Sequence, residues 1–431
     1  MTVVLALVVL LLTMVIGVPI PLSFMASAVS MVFSAGIPFE SLIPYGFSKM
    51  NSVLLLTIPL FILAGSIMDK GGIGKKLIGC VEKVLGRFKG GLGVVTVVSC
   101  AVFGAISGSS SATLSCIGAI MAPRLEENGY DKGFIGALIS SSGVPGILIP
   151  PSMLMILYAW MSGESVLACF LATLIPGIIL VILFSVVNLV YARKNPNIKV
   201  YQAATALPQV GGKKERGPLA AILMPVIILG SIYGGLLTPT ESAAVAVIYA
   251  IPVGFLVYRE MNLKTFKDSL ISAGKSTGVI MIMLFAVMIL SRLYVMNNVP
   301  KMILTILTSI SENRTVILLL INLFMVIIGM LMDDCSGILL CTPILLPVMK
   351  ELGVSPIQFA AIMGVNLGMG NITPPTAPLL YLAGRISGAE VKDMLKPALT
   401  LIAFAWIPTL IITTYIPQVS LILPQLFGYI K

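Results

Sequence analysis

The stretch AISGSSSATLSC at residues 105–116 sets six hydroxyl side chains and a glycine inside an otherwise apolar run. Small polar groups at that density interrupt a hydrophobic segment in its middle. The pattern predicts a re-entrant hairpin tip that holds ions and substrate at the midplane of a membrane.

The surrounding chain supports a lipid setting. It has 431 residues, of which 58% are hydrophobic and 10% charged, and a mean hydropathy of +1.07. A soluble globular chain carries roughly 25% charged residues. The opening run VVLALVVLLLTMVIGV continues into more apolar sequence without a basic n-region or a small-residue cleavage site, so it reads as a first membrane segment. Cys80, Cys100, Cys116, Cys169, Cys335 and Cys341 are scattered without a CxxC pair, which fits packing residues rather than a disulfide or zinc framework.

Apolar crossings are expected at about 3–17, 22–36, 51–69, 133–162, 166–192, 219–237, 240–258, 276–297, 357–384 and 397–417. The first two are short, which leaves open one bent helix or two tilted ones. Stretches 91–125 and 315–349 are too long for one crossing, and each is broken in its middle. The net charge of +10 is concentrated in segments 69–89, 193–217 and 259–275. That is the positive-inside pattern of cytoplasmic loops, not a basic groove with interleaved aromatics, so nucleic acid is excluded as a partner. With those three loops cytoplasmic, 91–125 enters and leaves on the cytoplasmic side, 315–349 does so on the opposite side, and both termini fall outside.

The halves answer each other at an offset of 224 positions. Pro123 meets Pro347, Gly129 meets Gly353, and Pro150 with Pro151 meets Pro374 with Pro375. Ile58, Leu60 and Phe61 meet Ile282, Leu284 and Phe285, and at an offset of 218 Gly17 and Pro21 meet Gly235 and Pro239. The fold class expected is therefore an all-α polytopic membrane protein with an inverted-topology repeat, as in secondary transporters. Residues 1–192 form the first repeat, with a hairpin at about 91–125 and a broken helix at about 133–162. A basic cytoplasmic connector covers 193–217. Residues 218–431 form the second repeat, with a hairpin at about 315–349 and a broken helix at about 357–384.

Four polar interruptions follow: GAISGSSSAT (104–113), SSSGVPGILIPPS (140–152), MDDCSGI (332–338) and NLGMGNITPPTAP (366–378). Unpaired backbone groups in hydrocarbon cost several kcal/mol each, so non-helical chain at that depth survives only inside protein or beside a wet cavity. Prolines 145, 150, 151, 374, 375 and 378 withhold amide donors, and glycines 108, 143, 146, 368 and 370 permit turns. Freed carbonyls with Ser, Thr and Asn oxygens suit a hard cation such as Na⁺. Half-helix N-termini in the same places suit an anion. Asp333 and Asp334 are adjacent acids inside an apolar stretch, and two roles stay open: tuning ion or proton binding, or capping the hairpin helix. Arg292 reads as a snorkelling residue or a substrate contact. Glu241, after Thr238-Pro239-Thr240, reads as a capping box.

At these four motifs and at LLTPTESAAVAVIYA (236–250), the chain resembles the large membrane subunit of tripartite ATP-independent periplasmic (TRAP) transporters, within the ion transporter superfamily. The resemblance covers essentially the whole chain. It implies a sodium-driven elevator transporter in the bacterial inner membrane, with hairpins and broken helices moving against a scaffold. It implies two partners, a small four-helix membrane subunit, expected here as a separate polypeptide, and a periplasmic binding protein that delivers an organic anion such as a C4-dicarboxylate or a sialic acid. One Na⁺ site would draw on Ser107, Ser109, Ser110, Gly143, Val144 and Pro145. The other would draw on Ser336, Gly337, Asn366, Gly370, Thr373 and Pro374. Substrate contacts are assigned to Ser111, Thr113, Pro150, Ser152, Asp334 and Thr376.

Other chemistries fit less well. The chain has no histidine, and GAISG around Ser107 lacks a nucleophile turn, which excludes an intramembrane serine protease. One Asp pair does not make the two acidic clusters of a prenyl-transfer enzyme, and no GxxxxGK[ST] motif occurs. An ion-coupled exporter or exchanger working without a binding protein is the alternative the fold argument allows.

Overall fold

A computed structural model describes residues 2–200 and 219–430. Among these residues the regular structure is helical, with one isolated antiparallel bridge between Lys89 and Val200. Arg193 and Lys194 of the expected connector end a helix, whereas Lys213, Lys214, Glu215 and Arg216 lie outside the described residues.

The first half opens with α1 (Thr2–Val15) and α2 (Ile20–Ala35). They are two helices rather than one bent helix, tied where Ser27 Oγ donates to the Ala6 carbonyl at 2.8 Å. Next come α3 (Leu42–Met50), α4 (Thr57–Lys70) and α5 (Ile73–Leu85). A helical hairpin follows, made of α6 (Gly91–Ser107), α7 (Ser110–Thr113), a π-helical turn at Leu114–Gly118, and α8 (Ala119–Glu127). α9 (Lys132–Gly143), α10 (Pro145–Leu148) and α11 (Met153–Ser162) form one apolar path with a 44° bend before α11. α12 (Val166–Lys194) closes the half.

The second half runs in the same order: α13 (Leu219–Tyr233), α14 (Pro239–Pro252, extended by a π-helical turn to Tyr258), α15 (Leu263–Met296) and α16 (Val299–Ile310). The hairpin is α17 (Arg314–Leu331) and α18 (Asp334–Glu351), and the interrupted path is α19 (Pro356–Gly370) and α20 (Pro378–Ser387). α21 (Val391–Leu401) and α22 (Ile407–Tyr415) flank a π-helical turn at Ile402–Trp406, and α23 (Gln418–Leu426) ends the fold. α18 starts and ends 224 residues after the α7–α8 unit does.

Two of the charged segments read as loops are largely helical. Segment 69–89 contains α5, because Ile73, Leu77 and Ile78 recur at helical spacing and bury one face. Segment 259–275 is helical from Leu263, within a 34-residue helix. At 1.5 Å per residue α15 is about 50 Å long, more than the roughly 30 Å of a hydrocarbon core. The helix is thus longer than one crossing needs, and Lys264 and Lys267 lie in its first turns. The N-terminus of α14 carries the expected capping box: the Glu241 amide donates to Thr238 Oγ1 at 3.3 Å, and the Thr238 amide donates to Glu241 Oε2 at 2.8 Å.

Six helices among the described residues are long and apolar enough to cross a bilayer, including Val166–Lys194, Leu263–Met296 and Val391–Tyr415. Arg314–Leu331 passes the same test, so length alone does not separate a crossing from a hairpin limb. Fully buried Trp406, Tyr158, Phe359 and Phe184 lie in the core around the interrupted helices, with Trp406 edge-on to Phe184 at 5.7 Å.

Candidate functional site

The first hairpin turns because α6 stops at Ser107 and Gly108 enters the left-handed region at φ +61, where a side chain would be strained. Ser109 is then extended and caps α7, accepting from the Ala112 amide at 3.4 Å. Ser107 Oγ and Thr113 Oγ1 lie 3.0 Å apart, and Thr113 Oγ1 donates to the Ser109 carbonyl at 2.8 Å. Ser109 and Ser111 hydroxyls pair at 3.2 Å, with Ser111 exposed. Four hydroxyls of the opening motif, those of Ser107, Ser109, Ser111 and Thr113, thus satisfy one another and the turn.

The second hairpin turns without a glycine. Met332 and Asp333 are both extended, and Asp333 caps α18 by accepting from the Cys335 amide at 3.2 Å and the Ser336 amide at 3.4 Å. Ser336 Oγ also donates to Asp333 Oδ1. Capping is therefore the geometry of Asp333. Asp334 does something else: it accepts from Ser110 Oγ at 3.2 Å, across 224 residues of sequence.

That contact joins two positions that correspond under the repeat offset. A second such contact lies deeper: a Cβ built on Gly368 would fall 2.4 Å from Val144 Cγ1, again 224 residues away. Residues can touch their own counterparts only near the axis that relates two halves. The local detail repeats as well. Ser142 Oγ donates to the Leu138 carbonyl at 2.6 Å, and its counterpart Asn366 donates through Nδ2 to the Ile362 carbonyl at 2.9 Å.

Each tip lies against its own half's interrupted helix. A Cβ on Gly108 would meet the Pro151 carbonyl at 3.2 Å, and one on Gly143 would meet the Ser110 carbonyl at 3.1 Å. Thr376 contributes its hydroxyl and its amide (3.3 Å) to the Met330 carbonyl near the second tip. The close approach has a glycine basis in both halves. A Cβ on Gly104 would lie 2.0 Å from the Gly146 Cα, and one on Gly370 would lie 2.4 Å from the Gly329 Cα.

The interruptions are narrower than the motifs and occupy only the last part of each. Ser140, Gly143 and Pro145 sit in helical turns with Val144 at φ −72, ψ −39, and the chain becomes extended only at Ile149 (φ −84, ψ 119). Asn366 and Gly370 lie inside α19, and the non-helical segment is 371–377. The physical reason is that Pro145 removes a single donor, while the Val144 amide compensates by donating to Ser141 at 3.3 Å. Of the remaining expected residues, Pro150 lies in the first break and Ser152 caps α11 from its end, accepting from the Met155 amide at 3.4 Å and donating to the Ile147 carbonyl. Thr373 Oγ1 donates to the Met369 carbonyl at 2.7 Å, Pro374 is half-buried beside it, and Gly337 packs on the Leu367 side chain. Arg292 lies outside the set: its guanidinium sits 5.2 Å from the Tyr45 ring centre, on α3.

A buried amide chain escaped the sequence reading. Asn366 Nδ2 donates to Asn322 Oδ1 at 2.9 Å, and Asn322 Nδ2 donates to Thr414 Oγ1 at 3.0 Å. The signal was available, since Asn322 is a lone amide in the apolar run of α17. Asn366 Oδ1 and Asn371 Oδ1 are buried and have no hydrogen-bond partner among the described residues, as is Ser141 Oγ in the first half. Such orphaned oxygens in a core are costly unless something donates to them or they ligate a cation.

Comparison with known proteins gives this arrangement its family. Residues 7–419 match the model described as "Tripartite ATP-independent periplasmic transporter, DctM component". The C4-dicarboxylate TRAP transporter large permease protein DctM of Pseudomonas aeruginosa is 35% identical over 89% of this chain and 88% of its own. The sialic acid TRAP transporter large permease protein SiaM of Vibrio cholerae is 30% identical over 96% of both. The isethionate TRAP transporter permease protein DctMQ of Oleidesulfovibrio alaskensis is 32% identical over 95% of this chain, which spans 64% of that longer protein. In fold the chain is similar to the Alcanivorax borkumensis YdaH transporter, with a TM-score of 0.61, 16% identity and 88% of each chain covered. These relatives are membrane permeases and not enzymes. The chain belongs to the DctM family, the large membrane subunits of TRAP transporters.

Proposed function

We propose that this chain is the transport subunit of a sodium-coupled importer in the bacterial inner membrane, moving a small organic anion by an elevator motion. The carrying observation is the convergence of both hairpin tips, tied by Ser110 and Asp334, against two interrupted helices. The halves act as inverted repeats about the axis on which Ser110 touches Asp334 and Val144 approaches Gly368. Both hairpins are re-entrant, the basic ends of α5, α12 and α15 face the cytoplasm, and both termini are periplasmic.

Charge explains the coupling. The tips carry Asp333 and Asp334, and an anion brought beside them is repelled strongly in a low-dielectric interior unless cations accompany it. The oxygens present fit Na⁺, which takes carbonyl and hydroxyl donors. Ser107, Ser109, Ser110, Gly143, Val144 and Pro145 surround one site; Ser336, Gly337, Asn366, Gly370, Thr373 and Pro374 surround the other, where Asn366 Oδ1 is an orphaned oxygen free to ligate. The anion then rests near the starts of α11 and α20, whose N-termini carry partial positive charge, in reach of Ser111, Thr113, Pro150, Ser152 and Thr376. The names of relatives cite isethionate, C4-dicarboxylates and sialic acid, all anions, which supports that substrate class. A small membrane subunit and a periplasmic binding protein complete the system.

Reconstitution in liposomes tests this reading. Uptake is expected to require an inward Na⁺ gradient, the small subunit and a loaded binding protein. Replacing Ser109 and Ser110 with leucine is expected to abolish Na⁺-dependent uptake while membrane insertion persists. Transport by this chain alone supports the exporter or exchanger instead, and full activity of the double variant removes the first Na⁺ site.

A further inference from the structure

Helix α5 presents a surface that transport chemistry does not use. Its inward face buries Ile73, Leu77 and Ile78, and its single acid, Glu82, also turns inward, 2.7 Å from Arg124 of α8. The outward face and the turn after it alternate cations with apolar groups: Lys83, Val84, Arg87, Phe88 and Lys89. Val84 is 75% exposed and Phe88 40%, beside exposed Lys83 and Arg87. Across the same end of the molecule, Lys75 reaches Glu260 at 3.5 Å, and Lys89 pairs with Val200 in the chain that leaves α12.

Exposed valine and phenylalanine gain nothing from bulk water, and a run of cations is costly in hydrocarbon, so their interleaving suits neither medium by itself. The alternation suits the depth between them, where apolar side chains enter the acyl boundary and ammonium and guanidinium groups reach headgroup phosphates. We propose that the outward face of α5 and its following turn, centred on Lys83, Val84, Arg87 and Phe88, is a docking surface for anionic phospholipid headgroups. The buried Arg124–Glu82 pair fastens that surface to the second limb of the first hairpin, so the lipid grips an element that ends at the tip. The proposal does not depend on which solute is carried.

The experiment uses the full chain in nanodiscs, with Phe88→Trp as a reporter and brominated lipid as quencher. Quenching of Trp160 and Trp406 in the unsubstituted chain is subtracted. Brominated phosphatidylglycerol is expected to quench about fivefold more efficiently than brominated phosphatidylcholine, as one cation near an anionic leaflet suffices to enrich it. The preference is expected to fall to parity when Lys83→Gln, Arg87→Gln and Lys89→Gln are combined, and to shrink in high salt. Val84→Trp repeats the measurement from the helix itself. Equal quenching by the two lipids, a tryptophan that neither lipid quenches, or a preference that survives the triple substitution overturns the proposal.

Discussion

The two hairpin tips solve one geometric problem with different chemistry. The first turns through a left-handed glycine, Gly108, and caps its second limb with a neutral serine, followed by a π-helical turn. The second turns through extended Met332 and caps with a carboxylate, Asp333, on an unbroken α18. A carboxylate at a helix N-terminus gains from the helix dipole as well as from its hydrogen bonds, whereas a serine gains only the latter. The first tip is therefore the softer and the neutral one, and the second is stiffer and acidic. The scaffold beneath them is nevertheless matched, glycine against glycine, in both halves.

The matched scaffold yields the largest expected effect. Gly104→Ala drives a methyl into the Gly146 backbone, and Gly370→Ala drives one into the Gly329 backbone; neither neighbour is a flexible side chain. Each is expected to destabilise by about 3 kcal/mol or to prevent correct assembly. Thermal unfolding in detergent reads this directly. If one substitution is tolerated and the other is not, the two halves are not packed alike.

The caps come next. Asp333→Ala removes at once the acceptor of two backbone amides and of the Ser336 hydroxyl, and is expected to cost about 2 kcal/mol. Asp333→Asn keeps an acceptor without the charge and is expected to recover about half of that. Ser109→Ala, at the softer tip, is expected to cost about 0.5–1 kcal/mol. Equal losses for Asp333→Ala and Ser109→Ala in the same unfolding measurement would erase the distinction drawn between the tips.

Much of this was legible in the sequence, and the misses have physical causes. Serine and glycine in an apolar run mark a break that must find its partners inside protein, and helices do end at Ser107 and Leu331, inside the two long apolar stretches. Within each interrupted path the break occupies only the last part of its motif, because proline acts unevenly. Ile149, before Pro150, became extended as sterics favour, whereas Val144, before Pro145, stayed helical. Helix α5 was read as loop because its cations outweighed the spacing of Ile73 and Leu77. The Asn322–Asn366 bond depends on tertiary contact between α17 and α19, and pattern alone supplies only the isolated amide.

The subtlest difference lies in the single bond that crosses from one tip to the other. Ser110 donates to Asp334 at 3.2 Å, a neutral donor on the soft tip facing a charged acceptor on the stiff one. Asp334 is half-buried and its neighbour Asp333 is committed to the cap, so Ser110 is the cross-tip partner that keeps this carboxylate in place. A double-mutant cycle over Ser110→Ala and Asp334→Asn is expected to return a coupling of about 1 kcal/mol in unfolding free energy. The sign of its response to Na⁺ separates two pictures. If the tips close over bound ions, added Na⁺ raises the coupling, because the ion pulls both partners toward one centre. If the ion instead recruits Asp334 away from the serine, the coupling falls toward zero. A coupling of zero with and without Na⁺ would mean that the tips are neighbours without being joined, and that each half holds its tip by its own glycine contact alone.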